Sequence, residues 1–513
     1  MENNFYNTRT LVRWLRWLGL TCLLVAGMLN VSTAQVNTNS GSGLAATYPD
    51  LASAVTALNG AVMSSPVIIT LTASETAPAG GYVITAQGSA ANTIVIDGAG
   101  FTLTASAAQT VGALNDAIIK LVGADFVTLQ NFIMQENAAN TVTTAASNTM
   151  TEFGVALMYA TTTNGASSNT IQSNTITLNR TYQNTFGIYS NSTHSSTAVS
   201  TTATATGLAG ANDSLRIYTN NISNVNNGIT YVGPTAAADQ ADYVDIGGSS
   251  AGTGNTISNY GNTGTFSSYI NVSGTVNGIL VRNTRNVNIS RNSVTSSNTA
   301  GALTVSGTLR GIYMPAFSAA PTGTNAVTIT NNSLSVTTGV ATGALQGIVV
   351  EATTGNATTN LTISSNDFAN CGYNVASPSG TTTLISSAIA DLNTTINNNT
   401  FTNLNITSTG SVTFISNSIL VSATGSQTIQ ANSIVTGFNK GGAGGTITFC
   451  TSSSSSTAGA NILHRNNNFS NITVTGATTI AGWASSDGGT ANKTYQTNTF
   501  SNITGGTGSI TIM

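Results

Sequence analysis

The residues best suited to chemistry are three closely spaced aspartates, the densest acidic group of the chain: Asp239, Asp242 and Asp245. Carboxylate oxygens are preferred ligands of Ca²⁺, so one hypothesis is a site for calcium or for a uronate. Three arginines follow later in the sequence, namely Arg282, Arg285 and Arg291. The second hypothesis is therefore that the two groups form salt bridges on a solvated loop. Both hypotheses stay open.

The other residue types that catalyse reactions are few and scattered. The chain has two histidines, His194 and His464, which lie far apart. Acid–base or nucleophilic catalysis needs a base within hydrogen-bond reach of its partner, and no motif brings such a pair together. We therefore predict no catalytic residue and no cofactor, apart from the calcium that the aspartates could hold.

The composition narrows the classes of function. Only 6% of the 513 residues are charged, and 13 Lys and Arg stand against 16 Asp and Glu, for a net charge of -3. Ordinary globular domains carry about 25% charged residues. Without an excess of positive charge the chain lacks the surface that nucleic acids require. The hydrophobic share of 40% is too high for a disordered tail, so the sequence predicts a folded protein that binds no nucleic acid.

Residues 1–34 have the pattern of a secretory signal peptide. Three arginines precede the apolar run Trp17–Leu29, and small residues ending in Ala34 follow it. A membrane anchor is the other interpretation, but the run is shorter than the roughly 20 residues that span a bilayer. We expect cleavage after Ala34, a mature chain without a membrane span, and a secreted or cell-surface location, with the periplasm as a further option.

Residues 35–92 are predicted to form an N-terminal segment with one short helix and a first strand. Asp50 is suited to accept a hydrogen bond at the start of the helix. Apolar residues then recur at helical spacing, at Leu51, Ala54, Val55 and Leu58. Val67–Leu71 follows as a strand. We expect the helix to cover one end of the structure that the rest of the chain forms.

From about Thr93 to Met513 one short unit recurs every few tens of residues. It consists of an apolar residue, two polar residues, an Asn, any residue and a second apolar residue, as in Ile363…Asn366…Phe368. Such self-similarity indicates stacked supersecondary units. The step from Asn255 to Asn292 also maps Asp245 onto Arg282. The repeated asparagines are Asn174, Asn220, Asn255, Asn292, Asn332, Asn366, Asn399, Asn432, Asn467 and Asn498.

Between many of these units lies a second signature, a Gly followed by an apolar strand, as in Gly311-Ile312. Each repeat thus holds two or more short strands and no crossover helix, which predicts coils of parallel strands about 4.8 Å apart. Alternate apolar residues would face a narrow interior. Asn suits the corners because it tolerates left-handed backbone and because its amide can bond the same amide one coil away.

We therefore predict an all-β, right-handed parallel β-helix of about eleven coils over residues 93–513. Through these repeats, and through phrases such as Ile94-Val-Ile-Asp-Gly98 and Asn399-Thr-Phe-Thr-Asn403, the chain resembles the pectin-lyase-like superfamily. More narrowly, it is similar to secreted β-helix proteins of Bacteroidetes-type bacteria. The resemblance implies a polysaccharide lyase or hydrolase as one function. However, the Asn-Thr-Asp, Gly-His-Gly and Arg-Ile-Lys strings of polygalacturonase-like members do not occur here.

Two tyrosines are candidates for contact with sugars. Tyr189 and Tyr313 each follow a Gly-apolar pair and should face outward, where their rings could stack on sugars. Alternatively, the loops between units fold over this wall and bury it. For the mature cysteines, Cys371 falls in an apolar slot of the repeat and Cys450 in a different column, so we expect both thiols to be free.

The sequence thus supports two hypotheses of function. The first is an exported β-helix protein that acts as an adhesin, a spacer or a polysaccharide-binding module without catalysis, with a polysaccharide or cell-surface glycan as partner. The alternative is a lyase or glycoside hydrolase of acidic polysaccharides. The last residues form a complete repeat, and the resemblance implies a sorting domain beyond it, which leaves either a truncated chain or release into the periplasm.

Overall fold

The structure, a computed structural model, describes residues 35–107, 109–196, 204–240, 242–261, 272, 275–296, 307–351, 358–388, 391–453 and 456–513. The predicted signal peptide, residues 1–34, lies outside the described residues. The described residues form an all-β parallel β-helix of about eleven turns, which confirms the predicted fold class. Each turn contributes one strand to each of three long parallel sheets.

Sheet 1 shows how the turns stack. From Val67–Leu71 onward each strand pairs in parallel with its counterpart one turn later, as Ile363 does with Ile396, whereas Val36–Thr38 pairs antiparallel with Thr47–Tyr48 and with Val67–Leu71. Alternate residues point inward and are apolar, because a strand places successive side chains on opposite faces. The sheet contains, in spatial order, Thr47–Tyr48, Val36–Thr38, Val67–Leu71, Ile94–Asp97, Val127–Gln130, Thr170–Gln172, Leu215–Tyr218, Val244–Ile246, Val287–Ser290, Asn325–Thr330, Thr359–Ser364, Asp391–Asn397, Val421–Gln430, Asn461–Arg465 and Asn492–Gln496.

Sheet 2 is built from the short strands that follow the repeated asparagines. Most of its strands bury one apolar residue, such as Phe401, beside outward polar residues. The sheet therefore has a flat outer face of mainly Ser and Thr. Its strands are Glu75–Thr76, Thr102–Thr104, Ile133–Gln135, Thr175–Thr177, Asn221–Ser223, Thr256–Tyr260, Ser293–Ser296, Ser333–Ser335, Asp367–Ala369, Thr400–Thr402 and Ser433–Ile434.

Sheet 3 contains the Gly-apolar signature. Ile312, for example, lies in register with Ile348 one turn later. Its strands are Tyr82–Ile84, Ala117–Val122, Phe153–Tyr159, Phe186–Ser195, Asn227–Val232, Val276–Arg282, Leu309–Met314, Leu345–Val350, Thr382–Ser387, Val412–Asn417, Thr446–Ser452 and Thr479–Ser485. The glycines are required because sheet 3 passes close to sheet 2: a Cβ on Gly311 would lie 2.6 Å from a methyl group of Leu334.

A short sheet 4 follows sheet 2 in the late turns. It consists of Leu404–Ile406, Phe438–Lys440, Ile472–Val474 and Ile503–Thr504. The two-stranded pair Thr337–Thr338 and Gly372–Tyr373 precedes it. In the three longer strands of sheet 4 the middle residue points to solvent, while its neighbours pack inward. Sheet 4 thus adds a fourth, exposed wall at one end of the rod.

The repeated asparagines form a continuous buried ladder. In all nine steps from Asn174 to Asn498, the Nδ2 of one asparagine donates to the Oδ1 of the next at 2.9 or 3.0 Å. The left-handed backbone lies one residue earlier than expected: Ser365, not Asn366, has a φ of 55°. At this corner, therefore, the residue before the asparagine adopts the left-handed backbone of the turn, and the asparagine side chain hydrogen-bonds to the asparagine of the next turn.

The N-terminal end is capped as predicted. The helix Leu51–Gly60 buries Leu51, Ala54, Val55 and Leu58, and its first turn is bonded through Ser53 N, which donates to Asp50 Oδ1 at 2.7 Å. The stack begins before Thr93, because Val67–Leu71 already pairs in parallel with Ile94–Asp97. The remaining helical turns are short: Gly41–Gly43, Ala145–Ser147, Gly207–Gly210 and Ala237–Asp239.

The interior is mainly apolar, and similar residues stack on one another in successive turns. Phe368 and Phe401, one turn apart, have ring centroids separated by 5.5 Å at an interplanar angle of 26°. Cys371 and Cys450 are buried and free, which confirms the prediction that no disulfide joins them. Burial raises the pKa of the Cys371 thiol to about 12, so it acts as an apolar side chain.

Candidate functional site: an asparagine-lined groove

The three predicted aspartates do not converge, because each is bound by a different part of the surface. Asp239 accepts a hydrogen bond from Gly207 N at 2.8 Å. Asp242 forms a salt bridge of 3.4 Å with Arg285. Asp245 is buried and accepts bonds from the hydroxyls of Tyr218 and Tyr243 at 2.6 and 2.9 Å. Within the described ranges, no group of three or more His, Cys, Asp or Glu residues could hold a metal ion.

The predicted register of Asp245 with Arg282 is wrong. Asp245 pairs instead with Asn288, one turn later in sheet 1, and Asn288 Nδ2 donates to Asp245 Oδ1 at 2.6 Å. The turn between sheet 1 and the ladder is longer before Asn255 than before Asn292, so a step counted on the ladder does not apply to sheet 1. The inter-turn salt bridge does form, but between Asp242 and Arg285.

The two predicted stacking tyrosines are covered, which corrects their assignment to a sugar-binding face. Tyr189 is fully buried, and its ring stacks on Phe153 with centroids 4.5 Å apart. Tyr313 is 5% exposed; Arg310 lies 3.9 Å above its ring, and its hydroxyl donates to Glu351. Both belong to a second apolar cluster on the outer face of sheet 3. Neither ring offers a face to a sugar.

Beside this cluster lies a buried ionisable group that sequence reasoning missed. Glu152 is fully buried and accepts hydrogen bonds from the Tyr182 hydroxyl at 2.8 Å and from Asp116 N at 2.9 Å. Burial raises the pKa of Glu152 well above its usual value and also raises that of Asp116. Burial lowers the pKa of Lys120, which lies on the neighbouring strand. These bonds fasten the loops over sheet 3 and leave Glu152 no face toward a substrate.

The two histidines have separate environments. His194 lies in the apolar cluster on sheet 3, with its Nδ1 3.2 Å from the Tyr189 hydroxyl. His464 lies in the core between the rings of Trp483 and Tyr495, at centroid distances of 5.4 and 4.9 Å. Burial lowers the pKa of His464 to about 4, although Asp487 opposes the shift.

His464 should make the protein acid-sensitive. Because its folded pKa is about 4 and its unfolded pKa is about 6.5, the unfolded chain binds a proton first, and stability falls as the pH drops through 6.5. Between about pH 7.5 and about pH 5, we expect the wild type to lose about 2 kcal/mol more than His464→Ile. Urea denaturation at both pH values measures the difference. Ile429→Val, its neighbour one turn earlier, should follow the wild type; parallel pH profiles for wild type and His464→Ile would contradict the assignment.

An open groove lies on sheet 4. It has a volume of about 420 Å³. Its floor consists of outward residues of the sheet 4 strands, and its rim of the turn residues before those strands. We define this asparagine-lined groove by six exposed residues: Asn403, Asn405, Asn439, Asn471, Thr473 and Asn502.

The amides of the groove are aligned along the rod. Asn439 Nδ2 donates to Asn405 Oδ1 at 3.1 Å, and Asn502 Nδ2 donates to Asn471 Oδ1 at 2.7 Å. A carboxamide has two N–H donors and an oxygen with two lone pairs, so these bonds leave donors and lone pairs available in each pair. The three rim asparagines hold left-handed backbone, with φ of 50° at Asn403 and 60° at Asn471. The groove therefore presents ordered donors and acceptors to solvent.

Comparison of the whole chain with protein-family models, with curated proteins and with solved structures finds no match. In the part of the chain that the structure describes, no helix is long and apolar enough to cross a membrane. A proposal about function therefore rests on the geometry of the chain itself.

Proposed function

We propose that the chain is an exported, non-catalytic β-helix rod that binds a neutral polysaccharide along the asparagine-lined groove and acts at the cell surface or outside the cell as an adhesin or spacer. The exposed amides of the groove, two pairs of which are hydrogen-bonded between neighbouring turns, carry this proposal. The buried ladder and the apolar interior supply the rigidity that such a rod needs.

The repeat of the groove suits a repeating ligand. Neighbouring turns are separated by about 4.8 Å, close to the length that one pyranose unit adds to an extended polysaccharide. One or two amides or hydroxyls per turn would then meet each sugar. Carboxamides suit sugar hydroxyls because they both donate and accept hydrogen bonds.

The charge of the groove favours a neutral ligand over an acidic one. All six defining residues are uncharged. The cation nearest in sequence, Lys440, points into the rod, where its Nζ donates to Ser408 O, Gly442 O and Gly444 O at 2.7, 2.7 and 2.8 Å. An acidic polysaccharide would therefore find no opposite charge among the lining residues, whereas a neutral one needs none.

The competing function, cleavage of acidic polysaccharides, has a direct test. Purified protein is incubated with pectins and alginates, with and without calcium. We expect no new unsaturated or reducing ends; their appearance would overturn the non-catalytic proposal.

Binding by the groove can be tested by substitution. A glycan array with neutral and acidic polysaccharides should identify a neutral ligand, and Asn405→Ala combined with Asn439→Ala should weaken its binding about tenfold, as expected for two or so lost hydrogen bonds. Asn221→Ala, an exposed asparagine of sheet 2, is the matched control and should bind normally. A blank array would leave only a spacer role, and unchanged binding by the double variant would exclude this groove.

A further inference from the structure

The interior of the late turns contains a column of polar side chains. Ser387, Asn417 and Ser452 lie in register on successive strands of sheet 3, and each is only 1% exposed. In the two preceding turns this column holds apolar residues, Met314 and then Val350. Val350 in turn pairs with Ser387, the first polar residue of the column. The inward face of sheet 3 thus changes from apolar to polar at Ser387.

Two residues on sheet 1 complete this region. Asp391 and Gln427 are fully buried near the same corner of the rod. Thr394 Oγ1 donates to Asp391 Oδ2 at 2.8 Å, and Gln427 Nε2 donates to Ser452 Oγ at 3.2 Å. We call these five residues the inner polar tract: Ser387, Asp391, Asn417, Gln427 and Ser452.

Much of the tract's hydrogen-bonding capacity is unused within the described chain. Five buried atoms have no protein partner: Ser387 Oγ, Asp391 Oδ1, Asn417 Oδ1, Asn417 Nδ2 and Gln427 Oε1. Each buried polar atom left unpaired is costly, and together the cost would be comparable to the whole stability of a domain. Native proteins satisfy such atoms with ordered water. We infer that the inner polar tract binds a row of ordered water molecules inside the β-helix.

The atoms of the tract select water over a cation. Asn417 leaves both a donor and an acceptor; a water molecule can serve both, whereas a bare metal ion can accept no hydrogen bond. A metal ion would suit the oxygens but would face the amide hydrogens of Asn417 Nδ2. The serines at positions 387 and 452 are also smaller than the Val350 and Met314 that occupy this column earlier, so they fill less of the interior.

A high-resolution crystal structure of the mature chain, grown with rubidium, tests the inference. We expect water density about 2.7–3.2 Å from the Asn417 amide and from Ser387 Oγ, without an anomalous rubidium peak. An anomalous peak there would show a cation site instead. Density in which these atoms bond other protein groups and leave no water would also overturn the inference.

A solution experiment gives an independent test. Magnetic relaxation dispersion of water nuclei counts internal waters that exchange slowly with solvent. The triple variant Ser387→Val, Asn417→Val and Ser452→Val continues the apolar column of Val350 and should show a smaller dispersion than the wild type. Ser416→Val, on the outer face of the same strand, is the control. Equal dispersions would contradict the inference, and if the triple variant does not fold, the wild-type density decides.

Discussion

Replacing Asn366 by leucine is expected to destabilise the protein by about 4 kcal/mol. Asn366 Nδ2 donates to Ile329 O and to Asn399 Oδ1 at 2.9 and 3.0 Å. Its Oδ1 accepts from both Asn332 N and Asn332 Nδ2, at 3.0 and 2.9 Å. Leucine would leave several of these buried partners unpaired, and each costs about 1–3 kcal/mol. Urea denaturation followed by circular dichroism measures the loss.

The control for this substitution is Asn221→Leu. Asn221 is exposed in sheet 2, so its replacement should change the free energy of unfolding by less than about 0.5 kcal/mol. If Asn366→Leu were as stable as Asn221→Leu, the ladder would not be a source of stability. Because each turn contacts mainly its neighbours, we also expect the damage to be centred on the turns next to position 366, which hydrogen exchange can map.

The second large effect is expected for Gly311→Ala. A Cβ at this position would lie 2.6 Å from Leu334 Cδ2 and 2.8 Å from Gly347 O. The backbone oxygen cannot move without breaking the pairing of the next turn, so we expect a loss of about 3 kcal/mol, the upper range for overpacking a core. The midpoint of thermal unfolding should fall accordingly.

Gly441→Ala provides the comparison. No atom lies within 4 Å of a Cβ built on Gly441, so alanine there should be tolerated or should stabilise the protein by a few tenths of a kcal/mol, about 0.5 at most, by restricting the unfolded chain. Equal unfolding midpoints for the two variants would show that sheets 2 and 3 do not approach as closely as described.

The fold could be predicted from the sequence because its determinants are local and repeated. The spacing from Ile363 to Asn366 to Phe368 is set by one corner and two strands, and the same corner recurs along the chain. The capping helix was also readable, since Asp50 and the apolar residues from Leu51 to Leu58 lie within three turns of helix. Repetition allowed weak local signals to be compared with one another.

Properties that depend on loop length could not be predicted. Asp245 and Arg282 differ by one ladder step, but the turn before Asn255 is longer and places Asn288 opposite Asp245. The alternation of side chains along a strand correctly predicted that Tyr189 points away from the interior. Its burial could not be predicted, because it depends on loops whose sequences do not repeat. A charged residue in an apolar strand, Lys120 in Ala117–Val122, was the signal that could have indicated the Glu152 group.

The groove was only partly foreseeable. The extended repeat Asn399-Thr-Phe-Thr-Asn403 places a second asparagine after the ladder position, and this residue forms the rim. The sequence could not show that the rim is exposed, because the buried Asn399 and the exposed Asn403 are the same type of residue. The structure shows the difference: Asn399 bonds within the buried ladder, while Asn403 bonds Asn370 on the surface.

The central claim is that equivalent residues of successive turns lie directly one above the other, and cysteine cross-linking tests it most directly. Thr328 pairs with Thr362 on sheet 1, with Cα atoms about 4.8 Å apart, so Thr328→Cys with Thr362→Cys should form a disulfide on mild oxidation. Thr328→Cys with Ser364→Cys should not, because those Cα atoms lie beyond about 7 Å. Peptide mass spectrometry identifies the products. A cross-link in the first variant only is the predicted result; no cross-link there, or equal yields in both, would contradict the stacked register.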